Sequence, residues 1–138
     1  MKILKKIIIF QFIIFSLIFA NKIAVATKIK GLVDIMQVGK KEFDNLSPGT
    51  ILSDGDKIRT GSKGFVAIIF IDDKSTLKLK ENSEVVISGQ ISSASISKKI
   101  NMDIGTVRAT VTKQNTEFVI QTPTSVASVK GTDFWLVT

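Results

Sequence analysis

Phe65-Val66-Ala67-Ile68-Ile69-Phe70-Ile71-Asp72-Asp73-Lys74-Ser75-Thr76-Leu77-Lys78-Leu79-Lys80 is the stretch that decides the fold class. Its first seven residues are apolar without a break and rich in β-branched and aromatic types, which predicts a central strand buried on both faces. Asp72-Asp73-Lys74 turns the chain. Thr76 to Lys80 then alternates, with Leu77 and Leu79 predicted inward and Lys78 and Lys80 outward. Glu81-Asn82-Ser83 is a further turn, and Glu84-Val85-Val86-Ile87 opens another strand.

The same texture continues on both sides. Ile29 to Met36 reads as an opening strand, and Asn45-Leu46-Ser47-Pro48-Gly49 as a turn built on proline and glycine. Thr50 to Ser53 is a short extended piece, Asp54-Gly55-Asp56 a tight turn, and Lys57 to Thr60 a strand. Ser88 to Lys99 is serine-rich and reads as a mobile loop or weak edge strand. Ile100 to Val111 is strand-like around Gly105, which marks a bulge or turn. Lys113-Gln114-Asn115 is a turn, Glu117 to Gln121 alternates again, and Phe134 to Val137 closes as a strand with either Phe134 or Trp135 in the core. Short β-rich runs between turn residues predict an all-β domain of antiparallel strands in a sandwich or roll, with a β-helix-like wrap as the alternative.

The first 26 residues read differently. Lys2, Lys5 and Lys6 precede an uncharged apolar run, Ile7 to Ala20, and Ala24-Val25-Ala26 offers a small-x-small cleavage pattern. The apolar run is shorter than the roughly 20 residues a membrane-spanning helix needs. Residues 1–26 are therefore expected to be a signal peptide cleaved after Ala26, and 27–138 a single domain exported to the periplasm or the cell surface. Four of the 19 basic residues leave with that leader and no acidic ones do. The remaining 15 basic and 12 acidic residues give a net charge of +3, so the sequence pI near 9.7 is partly a property of the leader. Basic residues are scattered singly apart from Lys40-Lys41 and Lys98-Lys99, a pattern expected for solvated sheet faces and not for nucleic-acid binding. Membrane contact is expected only through the leader, if it stays uncleaved.

Particular runs carry a family resemblance. They are Gly31-Leu32-Val33; Leu46, Gly49, Leu52, Gly55 and Asp56 with Arg59-Thr60; the hairpin Ile69 to Leu79; Gly105-Thr106-Val107-Arg108; and Thr122-Pro123 through Lys130-Gly131-Thr132 to Phe134. In that order they resemble the periplasmic domain of FecR-type proteins. The resemblance implies an exported, non-enzymatic all-β module that binds a protein partner or envelope ligand. Its motif positions Gly55, Asp56, Arg59, Thr60, Arg108, Thr122, Pro123, Lys130, Gly131 and Thr132 would shape turns and offer partner contacts. Two departures are local. Lys130 replaces an arginine, keeping the charge and losing the guanidinium fork, and the Asp72–Ser75 turn is one residue longer than the family's and lacks its glycine. Only six residues precede the apolar run, so engagement of a cytoplasmic sigma factor is not carried over, and further chain is expected beyond Thr138.

Catalytic chemistry has little to work with. Without histidine or cysteine there is no Ser-His-Asp or Cys-His arrangement and no ordinary zinc, haem or iron–sulfur ligand set. Ser95-Ile96-Ser97-Lys98 matches Ser-x-x-Lys but lacks its partner motifs. Asp54, Asp56, Asp72 and Asp73 are read as turn formers, because calcium needs 6–8 oxygens that no spacing here supplies. Asp56 and Arg59 are expected to pair across their turn. No cofactor is expected. The rival functions are a structural envelope module and a carbohydrate- or cell-wall-binding domain, the latter thinly supported by one tryptophan and no tyrosine.

Overall fold

A computed structural model describes residues 21–111, 117–129 and 133–138. These residues form β1 (Lys22–Lys30), β2 (Val33–Met36), β3 (Asp44–Asn45), β4 (Ile51–Ser53), β5 (Lys57–Thr60), β6 (Phe65–Phe70) and β7 (Thr76–Leu79). There follow β8 (Glu84–Ser92), β9 (Ser95–Ile104), β10 (Thr106–Thr110), β11 (Phe118–Gln121), β12 (Val126–Ser128) and β13 (Asp133–Val137). They make two sheets, one of six strands in the order β13-β10-β7-β6-β1-β4 and one of seven in the order β12-β11-β9-β8-β5-β2-β3. The all-β sandwich predicted from the hairpin pattern is the fold.

The core lies between the sheets. Alternate residues of each strand point into it: Val66, Ile68 and Phe70 from β6, Leu77 and Leu79 from β7, Val107 and Ala109 from β10, and Val85, Ile87, Ile100 and Met102 from β8 and β9. Phe70 meets Phe118 of the opposite sheet edge-on, with ring centroids 5.6 Å apart and planes at 82°, the geometry aromatic quadrupoles favour. Lys78 faces outward as predicted. The two-sided burial predicted for the Phe65–Ile71 run is corrected: β6 is central, but Phe65 and Ile69 are only half-buried and Ile71 is exposed. A two-sheet sandwich has one interior, so the outer face of β6 is covered only by its neighbours' side chains.

Glycines carry the chain between sheets. The single opening strand predicted over Ile29–Met36 is broken at Gly31, where β1 leaves the six-stranded sheet and β2 enters the other. Gly31 has φ +62°, and a Cβ there would stand 2.5 Å from the Lys63 carbonyl oxygen. Gly105, at φ +120°, plays the same part between β9 and β10; a Cβ would stand 2.1 Å from Ser83 Oγ. Because β10 crosses to the other sheet, β11 returns beside β9 in parallel, the one departure from antiparallel pairing among the described residues.

One further reading changes, and one boundary meets a strand. Ser88 to Lys99 is neither loop nor edge: β8 and β9 form a long hairpin inside the seven-stranded sheet, turning at Ser93 with φ +55°. The boundary expected after Ala26 falls inside β1. Ile23, Ala24 and Ala26 are fully buried, and the backbone of Ala26 bonds Thr50 and Gly49 at 3.0 and 2.7 Å. The turn predicted at Lys113-Gln114-Asn115 lies outside the described residues.

Candidate functional site

The motif residues are mostly the staples of the sandwich. Asp56 is 2% exposed, and its two carboxylate oxygens accept the backbone N–H groups of Val38 at 2.9 Å and Ser53 at 2.8 Å. It ties β4 and the end of β2 to the turn that Gly55 forms at φ +93°. Arg59 does not pair with Asp56. Its guanidinium reaches Asp34 on the adjacent β2 at 3.1 Å and lies 3.6 Å from the centre of the Phe43 ring, because strand alternation points residue 59 away from the buried carboxylate. Thr60 is buried; its hydroxyl donates to the Lys80 carbonyl at 2.6 Å and accepts the Ser83 N–H at 2.9 Å. Thr122 Oγ1 accepts the N–H of Ser125 at 3.0 Å and so closes the turn around Pro123. Arg108 stands opposite Trp135, with its guanidinium 5.1 Å from the ring centre. Phe134 packs on the core while Trp135 is 47% exposed. Lys130, Gly131 and Thr132 lie outside the described residues.

Lys98 was missed by the sequence reading. It is 2% exposed, and its ammonium donates to Asp72 Oδ2, Asp73 Oδ2 and the Ile96 carbonyl, each at 2.9 Å. Asp72 also accepts the Ile96 N–H, and Asp73 accepts the Ser75 N–H, both at 2.8 Å. The hairpin turn of one sheet is thus tied to the hairpin of the other. Burial alone would raise the Asp73 carboxyl. The Ser75 N–H and the Lys98 ammonium outweigh it and hold the group below the ordinary carboxylate value. The Ser95–Lys98 pair matched to Ser-x-x-Lys therefore has its lysine committed to two carboxylates.

A groove of about 700 Å³ crosses the outer face of the seven-stranded sheet. Ser88 and Gln90 of β8, Ser97 and Lys99 of β9, Gln121 of β11 and Ser128 of β12 line it, with Asn21 and Asp54 at the β8 end. Asp54 Oδ1 accepts the Gly89 N–H at 3.0 Å, holding that end where β5 no longer pairs with β8. The lining is mostly polar, with Val119 and exposed Val126 among it, and carries both signs of charge, from Lys99, Glu117 and Asp54, with no aromatic ring. Its side chains offer donors and acceptors across the sheet. That suits a hydrogen-bonding partner better than an apolar ligand.

The model of the family described as FecR protein matches residues 56–138. The chain belongs to the FecR protein family. Membership suggests a sensing or regulatory module. The matched segment holds the staples Asp56, Thr60 and Thr122, the Lys98 cluster and most of the groove lining. FecR-family character and the all-β sandwich therefore coincide over β5 to β13. No curated protein and no solved structure matches the chain significantly.

Proposed function

We propose that this FecR-family domain is an exported, non-enzymatic sensing or scaffolding module that binds a protein partner of the cell envelope in the groove of the seven-stranded sheet. The groove carries the reading: a mostly polar, mixed-charge concavity across four strands, with Val119 and Val126 in its lining, suits the mixed polar and apolar groups of a polypeptide segment. The basic n-region, apolar run and small residues of the leader support export. The absence of histidine and cysteine from the sequence supports a role without catalysis. The carbohydrate reading has less support, because sugar rings stack on exposed aromatic faces and the groove lining holds none. Trp135 lies instead on the other sheet, under two cations.

A photo-crosslinking residue placed at Gln90 or Ser128, with a control at exposed Lys41, tests the reading in the presence of envelope fractions. A discrete protein adduct at the two groove positions and none at Lys41 is expected. Adducts to glycan alone would transfer the groove to a wall-binding role. Equal labelling at all three positions would leave the spacer role as the better account.

A further inference from the structure

The two sheets differ in charge. In the strands of the six-stranded sheet the basic residues are Lys22, Lys28, Lys30, Lys78 and Arg108, and Asp133 is the single acidic one. The seven-stranded sheet is balanced: Asp34, Asp44, Glu84 and Asp103 stand against Lys57, Arg59, Lys98 and Lys99.

Register gathers the cations on one outer face. Lys28 stands opposite Ala67, Ala67 opposite Lys78, Lys78 opposite Arg108, and Arg108 opposite Trp135, in one row across five strands. Neighbouring strands are about 4.8 Å apart, so Lys28 and Lys78 are about 10 Å apart, with Arg108 one strand further on. Lys30 and Lys80 extend the array in a second row, two residues along. Ala67 is only 7% exposed although it stands outside the inter-sheet core, as expected where flanking lysine stems lie along the sheet.

Apolar surface adjoins the cations. Trp135 is 47% and Val137 71% exposed, and Lys80 Nζ lies 4.5 Å from the indole centre. A soluble polyanion has no use for that surface, whereas a bilayer interface takes phosphate-facing lysines and an interfacial tryptophan together. In the sequence, the apolar run to Ala20 ends two residues before β1, a strand of this sheet. We propose that the outer face of the six-stranded sheet, through Lys28, Lys30, Lys78, Lys80, Arg108 and Trp135, docks on the anionic phospholipid headgroups of a bilayer.

The test uses the chain from Asn21, without the apolar leader, and vesicles of phosphatidylcholine with or without phosphatidylglycerol. Co-sedimentation with the anionic vesicles alone is expected, weakening as salt rises, with a blue shift of emission from Trp135, the sole tryptophan. Lys78→Gln should weaken partitioning about fivefold, and Lys78→Glu with Lys80→Glu should abolish it while circular dichroism stays unchanged. Lys40→Glu with Lys41→Glu, away from this face, should leave much more binding than that pair. Equal binding to neutral vesicles, no binding, or equal losses in the two double variants would overturn the proposal. So would binding of dextran sulfate as tight as that of vesicles with no Trp135 shift on vesicles, an outcome that assigns the face to a soluble polyanion.

Discussion

Lys98 shows what a single buried charge does in this sandwich. Its ammonium is surrounded by Asp72, Asp73 and a carbonyl, so removing it strands two carboxylates between the sheets. Lys98→Met is expected to destabilise the domain by about 3–5 kcal/mol in urea unfolding. Adding Asp72→Asn and Asp73→Asn to Lys98→Met should recover much of the loss, since the three groups act as one unit. The cluster also sets an acid limit. The folded-state carboxyl of Asp73 titrates below its unfolded value. Its contribution is therefore present above the ordinary aspartate range and is lost as pH falls through the folded-state value. Stability should fall below about pH 4, and Asp73→Asn, followed by unfolding across pH, should flatten part of that fall. Lys98, and not Lys99, is in phase with the inward Ile96, Ile100 and Met102. Alternation turns one of the doublet inward, and only the opposing hairpin decides that an inward lysine meets two aspartates. Asp56 and Thr60 were legible as motif positions, and Ser53 lies in Asp56's own turn, but the partners Val38, Lys80 and Ser83 come from distant turns.

Among the elements, β1 bears most on where the folded domain begins. It lies between β6 and β4, and it contributes Ile23, Ala24 and Ala26 to the core. A small-x-small run satisfies the pattern of a cleavage site and also packs well in a strand, and the sequence alone does not separate the two. Ile23→Ala should cost about 2–5 kcal/mol, read by chemical unfolding. A chain starting at Thr27 should lose the cooperative transition that a chain starting at Asn21 shows. The corner between β9 and β10 is equally exacting: Gly105→Ala puts a Cβ into Ser83 at an unfavourable φ and should cost about 2 kcal/mol or more, seen as a lowered Tm. The β6–β7 hairpin was legible because strict alternation and a polar turn are local signals. The β8–β9 hairpin was not, since its serines read as solvent-loving until their neighbours in the sheet are known.

At the scale of the molecule, one cluster of apolar side chains joins both sheets, which predicts a single cooperative unfolding event. Fluorescence of Trp135, on an edge strand, and far-ultraviolet circular dichroism should report coincident transitions; separated midpoints would mean that the edge of the six-stranded sheet opens independently. The amino-acid sequence by itself determined the all-β class, the main hairpin and the family, because alternation, turn chemistry and motif spacing are properties of neighbours along the chain. Only the tertiary structure decided that β1 belongs to the fold, that Lys98 is buried, and that scattered lysines share one face while a polar groove crosses the other. Strand order and register bring together residues that are forty or more apart in sequence, and no local pattern records which strand lies beside which.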